Sequence, residues 1–198
     1  MRADAARNRR LLLEAAAAEF AEYGTEVSIA RIAARAGIGK GTVFRHFATK
    51  EHLVTAIFGD QLDRLAARGE ELLGHADSGQ ALLAFMADAV EMQVADRSFC
   101  QAVTADLRRD PQLRAASDRL VAAAGSLTAR ALADGVVRDD ITGYDIVLLI
   151  NAVAQATAPL GDAVPGLWRR YLSLIFDGLR PQAAHPLPVP APDSLAPP

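Results

Sequence analysis

Between Ser28 and Lys50 the sequence reads SIARIAARAGIGKGTVFRHFATK, with five basic side chains (Arg31, Arg35, Lys40, Arg45 and Lys50) and no acidic one. The chain as a whole carries a formal net charge of -3. An acidic protein that concentrates cations in one segment needs an anionic partner there, and these residue types can engage phosphates and base edges together. At about 100° per residue, Val43 and Phe47 point to one side of a short helix, whereas Gly41, Thr42, Arg45 and His46 occupy the opposite arc. Arg45 offers a planar fork of donors, Thr42 a hydroxyl and a methyl, and His46 a ring donor. Gly41 removes bulk that would hold the backbone away from a duplex. Lys40 and Lys50, the only lysines in the chain, bracket the helix as flexible point charges suited to phosphate rather than to bidentate base reading. Ser28 and Arg31, from the helix before, complete the DNA-facing set.

The segment also admits plainer readings. A basic helix face can simply be solvated, His46 can be a packing histidine, and Thr42 can bond its own backbone. Phe44 and Phe47 are expected in the core. The string GIGKGT imitates a phosphate loop but lacks the Gly-Lys-Ser/Thr order and follows an alanine-rich helix instead of a strand. The four histidines, His46, His52, His75 and His185, have no metal-ligand spacing to their neighbours. The single cysteine, Cys100, has no evident base, and no nucleophile elbow is present. Neither an enzyme nor a metal or other cofactor is expected.

The elements that must position this set are helices. Hydrophobic content of 51% with 6% aromatic residues reflects heavy alanine use, which favours helix. A first helix over 7–23 stops at Gly24, and Ser28 caps a second with an Ile29, Ile32, Ala33, Ala36 stripe that Gly37 ends. A third runs from Lys40 to Phe47, and Thr49 caps a fourth that reaches about Leu73. Ser78 is expected to cap the next, and Phe99, Val103 and Leu107 mark another. Asp110-Pro111 opens a helix that stops at Gly135, and Thr142 with Asp145 approximates a capping box. A last helix begins near Pro165 and ends near Gly178. The expected fold is all-α, with about nine helices: a three-helix helix-turn-helix domain over 1–51, a helical effector and dimerisation domain over 52–180, and a disordered proline-rich tail over 181–198. The charge is split in the same way. Residues 1–50 hold nine basic against five acidic side chains, a net of +4, which leaves -7 for the rest.

The string IARIAARAGIGKGTVFRHFATKEHL closely resembles the helix-turn-helix signature of TetR-type transcriptional repressors. Ala33, Gly37, Gly41, Thr42, Val43, Phe44, His46, Phe47, Lys50, Glu51 and Leu53 stand in matching places, and the ending WRRYLSLIFDGLRP resembles the closing helix of that family. The resemblance implies an all-helical homodimer that binds a palindromic operator in double-stranded DNA and is usually released by a small-molecule effector; a regulator that senses no ligand, or that activates, is the alternative. One position departs from the pattern: Phe44 stands where tyrosine is common, so a phenolic contact to phosphate is lost.

The body offers two surfaces for these tasks. The last helix places Trp168, Tyr171, Leu172, Ile175, Phe176 and Leu179 at i, i+3, i+4, i+7, i+8 and i+11, and the helix before it, which includes Leu148 and Ala152, is apolar nearly all round. A dimer interface would dispose of that area, and ordinary intrachain core is the alternative. Phe85, Met86, Met92, Phe99, Cys100, Asn151 and Gln155 are candidates to line an effector pocket. Asn151 and Gln155, polar at i, i+4 in an apolar helix, need partners across a dimer, a water or a ligand.

Two segments imitate other destinations. Arg9-Arg10 before three leucines resembles an export signal, but Glu14, Glu19 and Glu22 interrupt it. Ile146 to Leu160 is shorter than the roughly 20 apolar residues of a membrane span and contains Asn151 and Gln155. With one unpaired cysteine besides, a cytoplasmic protein without a membrane partner is expected.

Overall fold

The computed structural model describes residues 2–24, 27–95 and 110–191. The described residues form eight α-helices: α1 (Arg2–Tyr23), α2 (Ile29–Ala36), α3 (Lys40–His46), α4 (Lys50–Leu72), α5 (Ser78–Ala95), α6 (Pro111–Ala133), α7 (Gly143–Thr157) and α8 (Leu167–Gly178). Short 3-10 turns follow at Ala158–Leu160 and Pro181–Ala183. The helix expected around Phe99, Val103 and Leu107 lies outside the described residues. Among the described residues there is no strand, and no helix is long and apolar enough to cross a membrane.

The local stops are chemical. Ser28 Oγ accepts from the backbone of Arg31 at 3.3 Å, and Gly37, with φ +66°, ends α2 in the left-handed conformation that a side chain would oppose. Thr49 Oγ1 accepts from the backbone of His52 at 3.2 Å, which starts α4. Asp110 Oδ1 accepts from Gln112 and Leu113, so the proline at the head of α6 forfeits no hydrogen bond. Asp145 reaches back to the backbone N–H of Thr142 at 2.7 Å. One expected cap is displaced by a residue. Ser78 is buried within α5, and Asp77 Oδ1 accepts from Gln80 at 2.9 Å in its place. The reason is that a carboxylate is the stronger acceptor at a helix N-terminus, where the dipole also favours negative charge.

The chain divides into two compact units, Met1–Gln61 with Ala95–Ala115, and Leu62–Val94 with Ala116–Pro198. The division falls inside α4, beyond the boundary expected at residue 51, because α4 is one uninterrupted helix. In the first unit α1 packs on α2 and α2 on α3, and Leu12, Phe20, Ile32, Val43, Leu53 and Phe58 are fully buried. In the second, α7 packs on α8, and the core includes Leu82, Phe85, Met86, Leu127 and Ile146. The segment after α8, expected to be structureless from 181, carries a 3-10 turn, and the His185 carbonyl accepts from the guanidinium of Arg138. Arg138 is itself buried and also holds Asp140 Oδ2 at 2.8 Å, so the segment is anchored where it passes this pair.

Candidate nucleic-acid interface

Helix α3 follows the Gly37-Ile38-Gly39 turn and has two faces. Val43 is fully buried and Phe47, which caps its end, is also buried, whereas Lys40, Gly41 and Arg45 are exposed and Thr42 and His46 half-buried. The hydroxyl of Thr42 accepts from Arg45 Nη2 at 2.9 Å. That bond fixes the plane of the guanidinium against its own helix and leaves the rest of its donor fork for a partner. A Cβ placed on Gly41 would meet nothing within 4 Å, so packing within the unit does not require glycine there. His46 has its ring centroid 6.3 Å from that of Phe47 and is only half-buried. Lys50 opens α4, half-buried, one turn beyond.

Phe44 corrects an expectation. It is expected in the core, but 52% of it is exposed. A helix as short as α3 buries one stripe, and Val43 with Phe47 already fills it, which leaves Phe44 on the flank beside Arg45.

Arg31 and Arg35 occupy a different environment from the other three cations. Arg31 Nε donates to Glu19 Oε2, and Arg35 Nη1 donates at 3.0 Å both to Glu19 Oε1 and to Glu22 Oε2. The guanidinium carbon of Arg31 also lies 3.7 Å from the ring centroid of Tyr23. Hydrogen bonding to Glu19 is the main cause that holds both guanidiniums above the ordinary arginine pKa. Glu22 is held below the usual carboxylate range, chiefly by the hydroxyl of Tyr23 and then by Arg35. Sequence reasoning missed this cluster, although a carboxylate set among the apolar positions of the first helix was its signal. Ser28, also placed in the DNA-facing set, is exposed, with its oxygen engaged as the α2 cap.

The expected pocket residues of the second unit differ in burial. Phe85 and Met86 are fully buried in α5, Met92 and Asn151 are half-buried, and Gln155 is exposed. Gln155 faces away from the core stripe of Ile146, Ile150, Val153 and Ala154, so within the single chain its amide is open to solvent. Phe99 and Cys100 lie outside the described residues. A residue not foreseen is Gln93, buried on the α5 face that carries Met86, Ala89 and Val90, with no hydrogen-bond partner for its Oε1.

The expected dimer set also separates. Trp168, Leu172, Phe176 and Leu179 are buried within the chain's own core. The outward apolar side chains of α8 are Tyr171 and Leu174, 45% and 55% exposed, with Ile175 half-buried. Leu148, 46% exposed, and Ala152 face outward on α7. Both arcs of α8 are apolar, so its periodicity could not reveal which one the chain covers itself, and Leu174 was missed.

Comparison with known proteins places this geometry. Residues 12–57 match the family of bacterial regulatory proteins named for TetR, and residues 77–181 match the C-terminal domain of SbtR-like transcriptional regulators. A TetR transcription regulatory protein from Mycobacterium vanbaalenii is 36% identical, with 90% of this chain and 98% of that one covered, at a TM-score of 0.68. The TetR regulator SCO0520 of Streptomyces coelicolor is 30% identical, with coverage of 88% and 99% and a TM-score of 0.70. The transcriptional repressor KstR2 of Mycobacterium tuberculosis is 44% identical over 63 residues, which are 31% of this chain and 32% of that protein, so the match spans about a third of that curated relative. A cationic two-faced helix behind a glycine turn, held in a head that matches one half of this family and a body that matches the other, makes the chain a member of the TetR family of DNA-binding transcriptional regulators.

Proposed function

We propose that the protein is a homodimeric repressor that reads a palindromic operator with α3 and releases it when a small, largely apolar molecule binds the C-terminal unit. The observation that carries the reading is the outward pair Thr42 and Arg45, bonded to each other on a helix whose opposite face is buried. Lys40 and Lys50 flank it as phosphate contacts, with Gly41 and His46 beside it, and Ser28 stands at the adjoining helix start. KstR2, whose solved structure is 26% identical with a TM-score of 0.59, is named a repressor and a ketosteroid regulator. That supports repression and an apolar effector for this chain. Phe85, Met86, Met92 and Asn151 are the described residues offered to that effector. A ligand acts if it binds better to the arrangement that spaces the two recognition helices wrongly, since half-sites lie roughly 34–36 Å apart.

Selection of duplexes from a random pool tests the reading, and a palindrome is the expected product. Against that operator, Arg45→Ala should cost about 1–3 kcal/mol and relax one base preference, while Lys50→Ala should weaken all sequences alike and make the salt slope shallower by about 1 per subunit. Equal binding by the wild type and both variants would reject the interface. Phe44 should contribute differently. An exposed ring on a groove-facing helix suits a thymine methyl, so one thymine-to-uracil change in each half-site should weaken the wild type and leave Phe44→Ala unaffected. Equal sensitivity of the two proteins at every thymine would exclude that contact.

A further inference from the structure

Five cations stand between Ser28 and Lys50, but they are not equivalent. Arg31 and Arg35 share the carboxylate of Glu19, whose side chain is only 5% exposed, and Arg35 also holds Glu22. Among the described residues Lys40, Arg45 and Lys50 make no ion pair with a carboxylate, although Lys50 lies in the field of the adjacent Glu51; the bond of Arg45 is to a neutral hydroxyl. Each guanidinium keeps free donors, but a phosphate that recruits one must either approach a cation already neutralised by Glu19 or draw it away from that carboxylate. A buried carboxylate stripped of its cations is strongly unfavourable, whereas a surface arginine that changes partner gains only a screened contact. Both arginines nevertheless remain 49% and 42% exposed at the side chain, so no packing prevents them from reaching a duplex. The carboxylate is what holds them.

We propose that Glu19 withholds Arg31 and Arg35 from DNA, so that the cationic contacts of this segment rest on Lys40 and Lys50 at phosphates and on Arg45 at a base, and attraction to duplex of arbitrary sequence is kept low. Glu19 is then a positioning residue that sets the ratio of operator binding to non-specific binding, although it touches no nucleic acid. The cluster of Glu19, Glu22, Arg31 and Arg35 is formally neutral, and α2 meets the backbone as a capped helix rather than as a cationic one. The inference rests on the DNA-binding reading above and adds to it which cations do the binding.

The test is the salt dependence of binding to a 30-base-pair duplex of random sequence, for the wild type, Glu19→Gln, Arg31→Gln and Arg35→Gln, with thermal unfolding recorded for each. Each phosphate neutralised contributes a slope of about -0.9 in log K against log salt. Glu19→Gln is expected to bind random duplex more tightly at low salt, with a slope steeper by about 0.9 for each arginine it frees. Arg31→Gln and Arg35→Gln are expected to keep the wild-type slope whatever they do to stability. A wild-type slope in folded Glu19→Gln, or a slope shallower by about 0.9 per head in either arginine variant, would overturn the proposal. If Glu19→Gln does not fold, the arginine variants decide by the same criterion. Binding with parallel slopes in all four proteins defeats this proposal alone, whereas absence of salt-dependent binding in all four defeats the DNA-binding reading as well.

Discussion

Leu174→Arg is expected to yield a folded monomer whose operator affinity is lower by roughly 10²- to 10⁴-fold, the contribution that a second linked binding module makes. Leu174, Tyr171 and Leu148 are the large apolar side chains that α7 and α8 leave exposed by about half. Large apolar side chains left open on two adjacent helices are normally covered, and a two-fold partner would cover them. A guanidinium at Leu174 would have to be buried twice at such a face, once from each subunit, and the carboxylate one turn on, Asp177, is already engaged by Arg180. The fold should survive because Trp168, Leu172 and Phe176, on the opposite arc of α8, hold the helix to the chain's own core. Sedimentation and thermal unfolding separate the two effects. A variant that stays dimeric at the wild-type concentration, or that unfolds before it dissociates, would remove this face from the interface.

Helix ends and helix faces were legible in the sequence because they depend on residues close together in it. Ser28, Gly37, Thr49, Asp110-Pro111 and Thr142 with Asp145 each act on backbone groups within four positions, so their chemistry could be read without knowing the fold. The two faces of α3 were legible for the same reason. What a face packs against was not. Phe44 and Phe47 lie three residues apart in one helix with opposite exposure, and the difference is the single buried stripe that α3 supplies. The ion pair of Arg31 was not legible because its partner is 12 residues away on another helix. For α8, apolar residues on both arcs made the covered and the open face indistinguishable until the burial of Trp168, Leu172 and Phe176 assigned one of them. The signature of α3 therefore identified the class of molecule, while the pairing of its charges and the choice of which face of α8 is covered depend on tertiary contacts.

A pair of glycines inside the second unit should respond to the same substitution with opposite signs. Gly143, the first residue of α7, meets α6 at Gly125: a Cβ on Gly143 would stand 2.6 Å from the nitrogen and 2.8 Å from the Cα of Gly125, and 2.9 Å from the carbonyl oxygen of Val121. All three are backbone atoms of one helix, so no rotamer change can relieve the overlap. Nor can α7 easily retreat, because Ile146 and Val147 in the turn that follows are buried. Gly143→Ala is therefore expected to cost stability at the upper end of the roughly 1–3 kcal/mol that overpacking brings. A Cβ on Gly125 meets nothing within 4 Å. Gly125→Ala, in the interior of α6, should stabilise the protein by up to about 1 kcal/mol, the helix-propensity difference between the two residues. Denaturant unfolding of the two variants measures both effects. Equal stability of Gly143→Ala and the wild type would mean that α6 and α7 do not cross as closely as these distances require.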